Sequence, residues 1–108
     1  MNDNQLHWLA GLIDGEGAFT RSGGSPSVRI KMTDRDTIEK VASLLNAQVL
    51  IEKRQPRYKD CYLCVLYGNN AIQLMDKIKP LMSIRRKQRI TEIMAWANSR
   101  PRSVVRVE

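Results

Sequence analysis

The hydrophobic positions of the N-terminal third predict a helix followed by two strands. About residues 5–15 are apolar in nearly every direction around a 3.6-residue period, which is typical of a helix covered on more than one side. The segment GAFTRSGGSPSVRIKMT then predicts two strands around a Gly/Ser/Pro turn at 22–26. The second strand alternates apolar and polar side chains, so we expect it to be half-buried with a basic outer face.

A similar succession follows along the rest of the chain. Thr33 and Asp36 have capping-box spacing and predict the start of a second helix. QVLIEKR and CYLCVLY predict two more strands, and the helix after them is expected to stop at Pro80. A last helix is predicted from about Ser83, with an irregular tail at about 100–108. The order αββαββα plus a C-terminal helix predicts an α+β fold, with an antiparallel four-stranded sheet and helices on one face.

Composition narrows the class of partner. The chain has 108 residues, which predicts one domain over 1–108, and its net charge of +7 favours nucleic acid over a membrane surface. No apolar run approaches the roughly 20 residues of a membrane span, and the N-terminus lacks the features of a signal peptide. Two cysteines fit a reducing compartment. We therefore expect an intracellular protein that is not secreted and has no membrane partner.

Two glycines, Gly11 and Gly15, interrupt the first helix four residues apart. Each costs about 1 kcal/mol of helix stability relative to alanine. That cost is tolerable where another backbone approaches closely, and two copies of the helix packed together are the simplest such arrangement. The alternative is a helix buried within one subunit.

Asp14 and Glu16 lie at the C-terminal end of this helix, where its dipole disfavours carboxylates. Two paired helix ends would gather four carboxylates, which raise one another's pKa or bind a cation. Mg²⁺ suits such oxygen ligands, and a basic sheet beside it suggests metal-assisted cleavage of a phosphodiester. The alternative, an acid that only stabilises the turn, applies best to Asp14.

The segment LAGLIDGEG, Leu9 to Gly17, resembles the signature of the LAGLIDADG homing endonucleases. MTDRDTIEKVASLL and IKPLMSIRRKQ are similar to later segments of that family, so the resemblance covers roughly residues 5–98. It carries one signature motif, which implies the homodimeric type of this family.

The resemblance implies an enzyme that cuts both strands of DNA at a specific, near-palindromic site and leaves 3′ overhangs. It implies Mg²⁺ as cofactor, with Mn²⁺ as a substitute, and double-stranded DNA as partner. The signature helices would form the interface between the two subunits. The implied interface residues are His7, Trp8, Ala10, Gly11, Asp14 and Gly15.

The same resemblance implies a set of catalytic and metal-binding residues. Glu16 is similar to the metal-binding acid, although the motif name has aspartate there, and the Gly15 carbonyl would be a neighbouring ligand. Asp34 falls on a polar position at the end of the second strand. A basic position that neutralises charge on the phosphate falls on Arg85 or on Lys87, a choice left open here; arginine cannot donate a proton near neutral pH.

The sheet would lie in the major groove, with its outward side chains on the DNA. Alternation makes Arg29 and Lys31 the principal contacts. On the third strand the outward pair is Lys53 and Gln55 or, in the other phase, Glu52 and Arg54; we prefer the first pair. The predicted contacts are Thr20, Ser22, Ser27, Arg29, Lys31, Lys53, Gln55 and Tyr62. A solvated outer face is the alternative.

Two other functions use this fold. One is an intron maturase, an RNA-binding protein with intron RNA as partner, and the other is a DNA-binding regulator that does not cut. Glu16 argues against the regulator, because a pure DNA-binding protein has no use for an acid beside a phosphate. CYLC is not predicted to bind zinc, since no second ligand pair follows it.

Overall fold

The computed structural model describes residues 1–99, with the backbone alone at Ser22. The predicted contact by the Ser22 side chain and the predicted irregular tail lie outside this part of the chain. The elements are α1 (Asp3–Glu16), β1 (Gly17–Ser22), β2 (Ser25–Met32), α2 (Arg35–Leu45), β3 (Leu50–Glu52), β4 (Cys61–Tyr67), α3 (Gly68–Ile78), a 3₁₀ turn (Lys79–Leu81) and α4 (Ile84–Ser99). This order confirms the predicted α+β fold.

Helix α1 begins two residues earlier than predicted because Asn2 caps it. The Asn2 side chain accepts a hydrogen bond from the Gln5 backbone N–H, and the Gln5 side chain accepts one from the Asn2 backbone N–H, both at 2.8 Å. This reciprocal capping box satisfies donors that the first turn would otherwise leave unpaired. The helix continues through Glu16, and β1 starts at the next residue.

The turn of the first hairpin has two residues, Gly23 and Gly24, and lies within the predicted turn at 22–26. Gly23 and Gly24 have φ of +58° and +80°, the left-handed pair that a two-residue type I′ turn requires. Strands β1 and β2 then pair from Gly17 with Ile30 to Ser22 with Ser25. This register places Thr20 opposite Ser27 and Phe19 opposite Val28.

The second hairpin is less regular. Strand β3 covers only Leu50–Glu52, within the longer strand predicted from QVLIEKR, whereas β4 coincides with CYLCVLY. The strands form an antiparallel four-stranded sheet in the order β1-β2-β4-β3. Asp34, rather than Thr33, is the cap residue of α2, and it accepts a hydrogen bond from the Thr37 hydroxyl at 2.8 Å.

The hydrophobic core lies between the helices and one face of the sheet. Its fully buried side chains come from α1, the sheet and the other three helices, and include Leu9, Ile13, Ile30, Ile38, Met75 and Ile90. Helix α1 packs against β1, β2 and the 3₁₀ turn, so a single subunit covers more of it than one sheet could. Leu6, Trp8 and Leu12 are half-buried against this core.

Candidate functional site

Asp14, on the last turn of α1, is attached to the start of α4. Its carboxylate accepts a hydrogen bond from the Ser83 backbone N–H at 2.9 Å. That bond, with help from the Ser83 side chain and the nearby Arg86 charge, holds the pKa of Asp14 below its usual value of 3.8. Asp14 therefore has a structural role, but it joins two elements that are far apart in the sequence rather than stabilising a local turn, as the alternative had it.

Two arginines of α4 hold the backbone just beyond Glu16. Arg86 donates a hydrogen bond from Nη1 to the Gly17 carbonyl, and Arg89 donates one from Nε to the Phe19 carbonyl at 3.1 Å. Both carbonyls belong to β1, which lies at one edge of the sheet. The arginines thus cover an edge whose acceptors would otherwise face solvent or another chain.

Glu16 lies between these attachments and is itself exposed. Within residues 1–99 its carboxylate makes no hydrogen bond and no ion pair. The backbone is anchored before it by Asp14 and after it by Arg86, so the position of Glu16 is fixed while its side chain stays available. An exposed acid held between anchored neighbours can act as a ligand for a cation.

An open cleft of about 520 Å³ lies between β1 and α4. Arg85 lines it together with Ala18 and Phe19, whereas Lys87 does not. The two basic residues point in directions about 200° apart around the helix, since each residue turns by about 100°. The other residues that line the cleft are Arg86, Gln88, Arg89 and Glu92. Three arginines against one glutamate make the cleft favourable for an anion.

The oxygen atoms at the end of α1 could supply part of a metal site. Within the described residues no three His, Cys, Asp or Glu side chains converge on a point that could hold a metal ion. Glu16 offers one carboxylate, and Gly15 offers a carbonyl in the last helical turn, where no intrahelical donor remains. Hard oxygen donors of this kind fit Mg²⁺, which keeps several waters and binds through one or two carboxylates. Because Asp14 is already engaged, two paired helix ends would present two available acids rather than four.

The structure does not connect Asp34 to this site. Asp34 is exposed at the start of α2, where its carboxylate binds the Thr37 hydroxyl. In the part of the chain that the structure describes, no hydrogen bond or ion pair links it to Glu16 or to the arginines of α4. A catalytic role for Asp34 stays a prediction.

The outer face of the sheet, the face away from the helices, carries only some of the predicted DNA contacts. Arg29 lies on it, exposed and without an ion pair to any residue among 1–99, and Lys31 forms an ion pair with Glu52 at 3.1 Å. Ser27 is only 2% exposed, and its hydroxyl is hydrogen-bonded to that of Thr20. Ser27 is therefore too buried to offer a direct contact, and the half-buried Thr20 shares that bond.

Two predicted placements on the later strands are wrong. Tyr62 pairs with Met32 and packs against the core, with Arg35 of α2 at 5.7 Å from its ring, so it lies on the helix side. Lys53 and Gln55 lie beyond the end of β3, and Lys53 pairs with Asp60 at 3.1 Å. The outward phase of β3 is the one that contains Glu52, because Glu52 reaches Lys31 on the outer face.

Two of the predicted interface residues are covered within the subunit, Ala10 fully and Trp8 in part. Ala10 is 2% exposed inside the core, so it cannot contact a second subunit. Trp8 is half-buried beneath Lys40, whose Nζ lies 4.0 Å from the ring centre. His7, Gly11 and Gly15 are exposed, and a Cβ at either glycine would meet nothing within 4 Å.

Sequence reasoning missed Ser83, and it gave no separate roles to Arg86 and Arg89. A basic run after Pro80 was visible, but nothing local showed which of its members bind β1. Ser83 lies 69 residues from Asp14, and no sequence pattern joins them. The outward side chains of β4 were also missed, although pairing β4 with the alternating β2 could have found them.

These features define a protein with an αββαββα unit, a basic cleft and an acidic helix end. Residues 3–79 match the family model described as a LAGLIDADG-like domain, and the chain belongs to that family. This confirms the resemblance carried by Leu9–Gly17.

Solved structures of homing endonucleases share the fold. An archaeal intron-encoded enzyme, I-Vdi141I, solved in complex with DNA, has a TM-score of 0.64 at 20% identity, over 90% of this chain and 71% of that one. I-CvuI, solved with its target, has a TM-score of 0.61 at 17% identity, over 89% of this chain and 69% of that one. I-TnaI has a TM-score of 0.54 at 16% identity, over 86% of this chain and 69% of that one. A search of curated proteins found no match, and no helix among residues 1–99 has the length and apolarity to cross a membrane.

Proposed function

We propose that this chain is a homing endonuclease that acts as a homodimer on double-stranded DNA. It hydrolyses one phosphodiester on each strand of a near-palindromic site and leaves 3′ overhangs. The DNA complexes of I-Vdi141I and I-CvuI support DNA as the partner. The protein would act inside the cell, where its DNA is.

The observation that carries this proposal is the contrast between Glu16 and its neighbours. Asp14, Arg86 and Arg89 are all engaged in holding backbone, whereas Glu16 is exposed and unpaired among residues 1–99. The dipole of α1 disfavours an acid at the end of this helix, so an unpaired carboxylate there favours a role as a ligand. Glu16 and the Gly15 carbonyl would hold Mg²⁺, which when bound supplies Lewis-acid activation of water and phosphate.

Arg85 is the better candidate for the basic position left open by the sequence. It lines the cleft beside β1, and its guanidinium has no hydrogen bond or ion pair within the described chain. A guanidinium there can neutralise negative charge that develops on the phosphate. Since arginine stays protonated, the proton for the leaving oxygen comes from water.

The direct test compares cleavage by wild-type protein and Glu16→Gln on a duplex library with Mg²⁺. We expect the variant to lose about a hundred-fold or more in cleavage rate, because a metal ion supplies several kcal/mol of transition-state stabilisation. DNA binding should change little. Glu39→Gln, an exposed acid on α2, is the matched control and should cleave normally. Normal cleavage by Glu16→Gln would remove Glu16 from the mechanism.

The homodimer has its own test in the exposed glycines of α1. Gly11→Leu places a large side chain where the subunit leaves open space, so the fold should persist while close helix packing is blocked. Sedimentation should show a dimer for the wild type and a monomer for the variant. Ser43→Leu, at an exposed small residue of α2, is the control. A wild-type protein that stays monomeric even with bound target would contradict the homodimer.

A further inference from the structure

The outer face of the sheet is polar on β1 and β2, whereas on β4 and at Leu50 of β3 it carries apolar side chains; Glu52, the other outward residue of β3, pairs with Lys31. Register identifies the outward side chains of β4, because Leu63 pairs with Lys31 and Val65 pairs with Arg29. Tyr67, opposite Ser27, and Leu50, opposite Leu63, lie on the same face. We call this set the apolar lane. Its members are Leu50, Leu63, Val65 and Tyr67.

The apolar lane does not belong to the hydrophobic core. The core side chains of β4 are those of the opposite phase, such as Cys64 and Leu66, which face the helices. Leu50 is 48% exposed and Tyr67 is 56% exposed, and Leu63 and Val65 between them are half-buried. The solvated face of an antiparallel sheet is normally polar, and contiguous exposed apolar surface marks a binding site.

Charge and continuity identify the occupant as DNA. The apolar lane lies beside the exposed Arg29 on a single sheet face, and the chain carries a net charge of +7. A ligand that covers this face must therefore be anionic and must also offer apolar groups. In the major groove the C5-methyl of thymine is the apolar group that each A·T pair presents.

The spacing of the apolar lane also fits a duplex. Outward residues of one strand are two apart, and each residue advances about 3.4 Å. Base pairs also rise by about 3.4 Å, so alternate residues of β4 would lie over every second base pair. Leu63, Val65 and Tyr67 have this two-residue spacing.

We propose that the apolar lane contacts thymine C5-methyl groups and so selects thymine at alternate positions of each half-site. This inference rests on the proposed function, since it assigns the bases that the same DNA-binding face prefers. Polar side chains of β2 would contact neighbouring positions, and the apolar lane contributes by excluding water from the methyl groups.

The test begins with wild-type protein and a duplex selected from a random library for binding in Ca²⁺. Single thymines of that duplex are replaced by deoxyuridine, which removes only the methyl. We expect about four-fold weaker binding at up to three alternate positions, the change that burial of one apolar carbon gives. Replacing those pairs with G·C whose cytosine carries a 5-methyl should be better tolerated than unmethylated cytosine at the same positions.

A variant links the effect to the apolar lane. Val65→Thr keeps the side-chain shape but replaces one methyl with a hydroxyl, so discrimination between thymine and deoxyuridine should fall at one position. Arg29→Gln is the control and should weaken both duplexes equally. Thermal melting by circular dichroism checks that both variants are folded.

Three results would overturn the inference. One is selective DNA binding with no effect of any thymine-to-deoxyuridine change. Another is a selected site without thymine at alternate positions. The third is self-association of the wild type through the apolar lane that DNA does not compete away. If the wild type binds no DNA at all, it is the proposed function that fails.

Discussion

The two hairpins of the sheet share a topology but differ in how firmly they are held. β1 joins β2 through a two-residue turn, and Arg86 and Arg89 of α4 cover its free edge. β3 pairs with β4 over three residues, and all three are exposed. The segment that follows β3 is exposed almost throughout.

The two hairpins would therefore serve different parts of the proposed function. The firmly held hairpin begins directly after Glu16, where the proposed chemistry on a phosphate would need a fixed ligand position. The loosely held hairpin carries the apolar lane, which would contact bases, and Glu52, which pairs with Lys31 of β2. Regions with exposed backbone hydrogen bonds open at low free energy, so β3 should adapt more readily to a bound duplex.

The largest effect should come from breaking the junction between α1 and β1 with Gly17→Ala. A Cβ at Gly17 would lie 2.7 Å from Ile13 Cγ2 and 2.8 Å from the Ile13 carbonyl oxygen. Because a backbone atom cannot move aside cheaply, we expect a loss of about 3 kcal/mol in the free energy of unfolding. Urea denaturation measures it. Ser43→Ala, at an exposed position of α2 away from this junction, should be neutral or stabilising by up to about 0.5 kcal/mol; equal losses in the two variants would contradict this explanation.

A smaller effect should follow from releasing the edge of β1 with Arg89→Ala. The variant leaves the Phe19 carbonyl without its donor, and we expect a loss of about 1 kcal/mol, since the arginine is partly solvent-exposed. The matched change in the other hairpin, Arg54→Ala, should cost less than about 0.5 kcal/mol because Arg54 is exposed. Equal losses in the two variants, measured by urea denaturation, would mean that the two hairpins are held alike.

The smallest effect concerns two aspartates whose pKa values are both lowered from 3.8, for different reasons. The Ser83 backbone N–H lowers the pKa of Asp14, whereas the exposed Lys53 ammonium is the main cause for Asp60. Each stabilises the fold above the unfolded pKa, and that contribution is lost as the pH falls through the folded pKa.

Added salt should distinguish the two causes of the lowered pKa values, the backbone hydrogen bond at Asp14 and the lysine charge at Asp60. In about 1 M salt the screening length is about 3 Å, so the pKa of Asp60 should rise toward 3.8 while that of Asp14 keeps most of its lowering. NMR titration of the carboxyl carbons at low and high salt measures this difference. If both values rise equally, the hydrogen bond from Ser83 is not the main cause for Asp14.

Patterns within short segments of the sequence predicted much of the fold. The signature segment predicted α1, and the alternation of β2 predicted both its buried phase and its basic phase. CYLCVLY predicted β4 to the residue, because a continuous apolar run bounded by polar residues leaves little choice of ends. The face of β4 was not predictable in this way, since a strand that is apolar on both sides has no alternation. Tyr62 was misplaced for that reason.

The amino-acid sequence alone determined the order of the elements, the acidic end of α1 and the net positive charge of the chain. Each of these depends on neighbours within a few residues or on composition. Tertiary structure decided which acid is engaged and which stays available, which arginines hold β1, and which phase of β3 and β4 faces outward. These depend on contacts such as Asp14 with Ser83, between residues far apart in the chain, and such pairings become defined only when the strands and helices pack together.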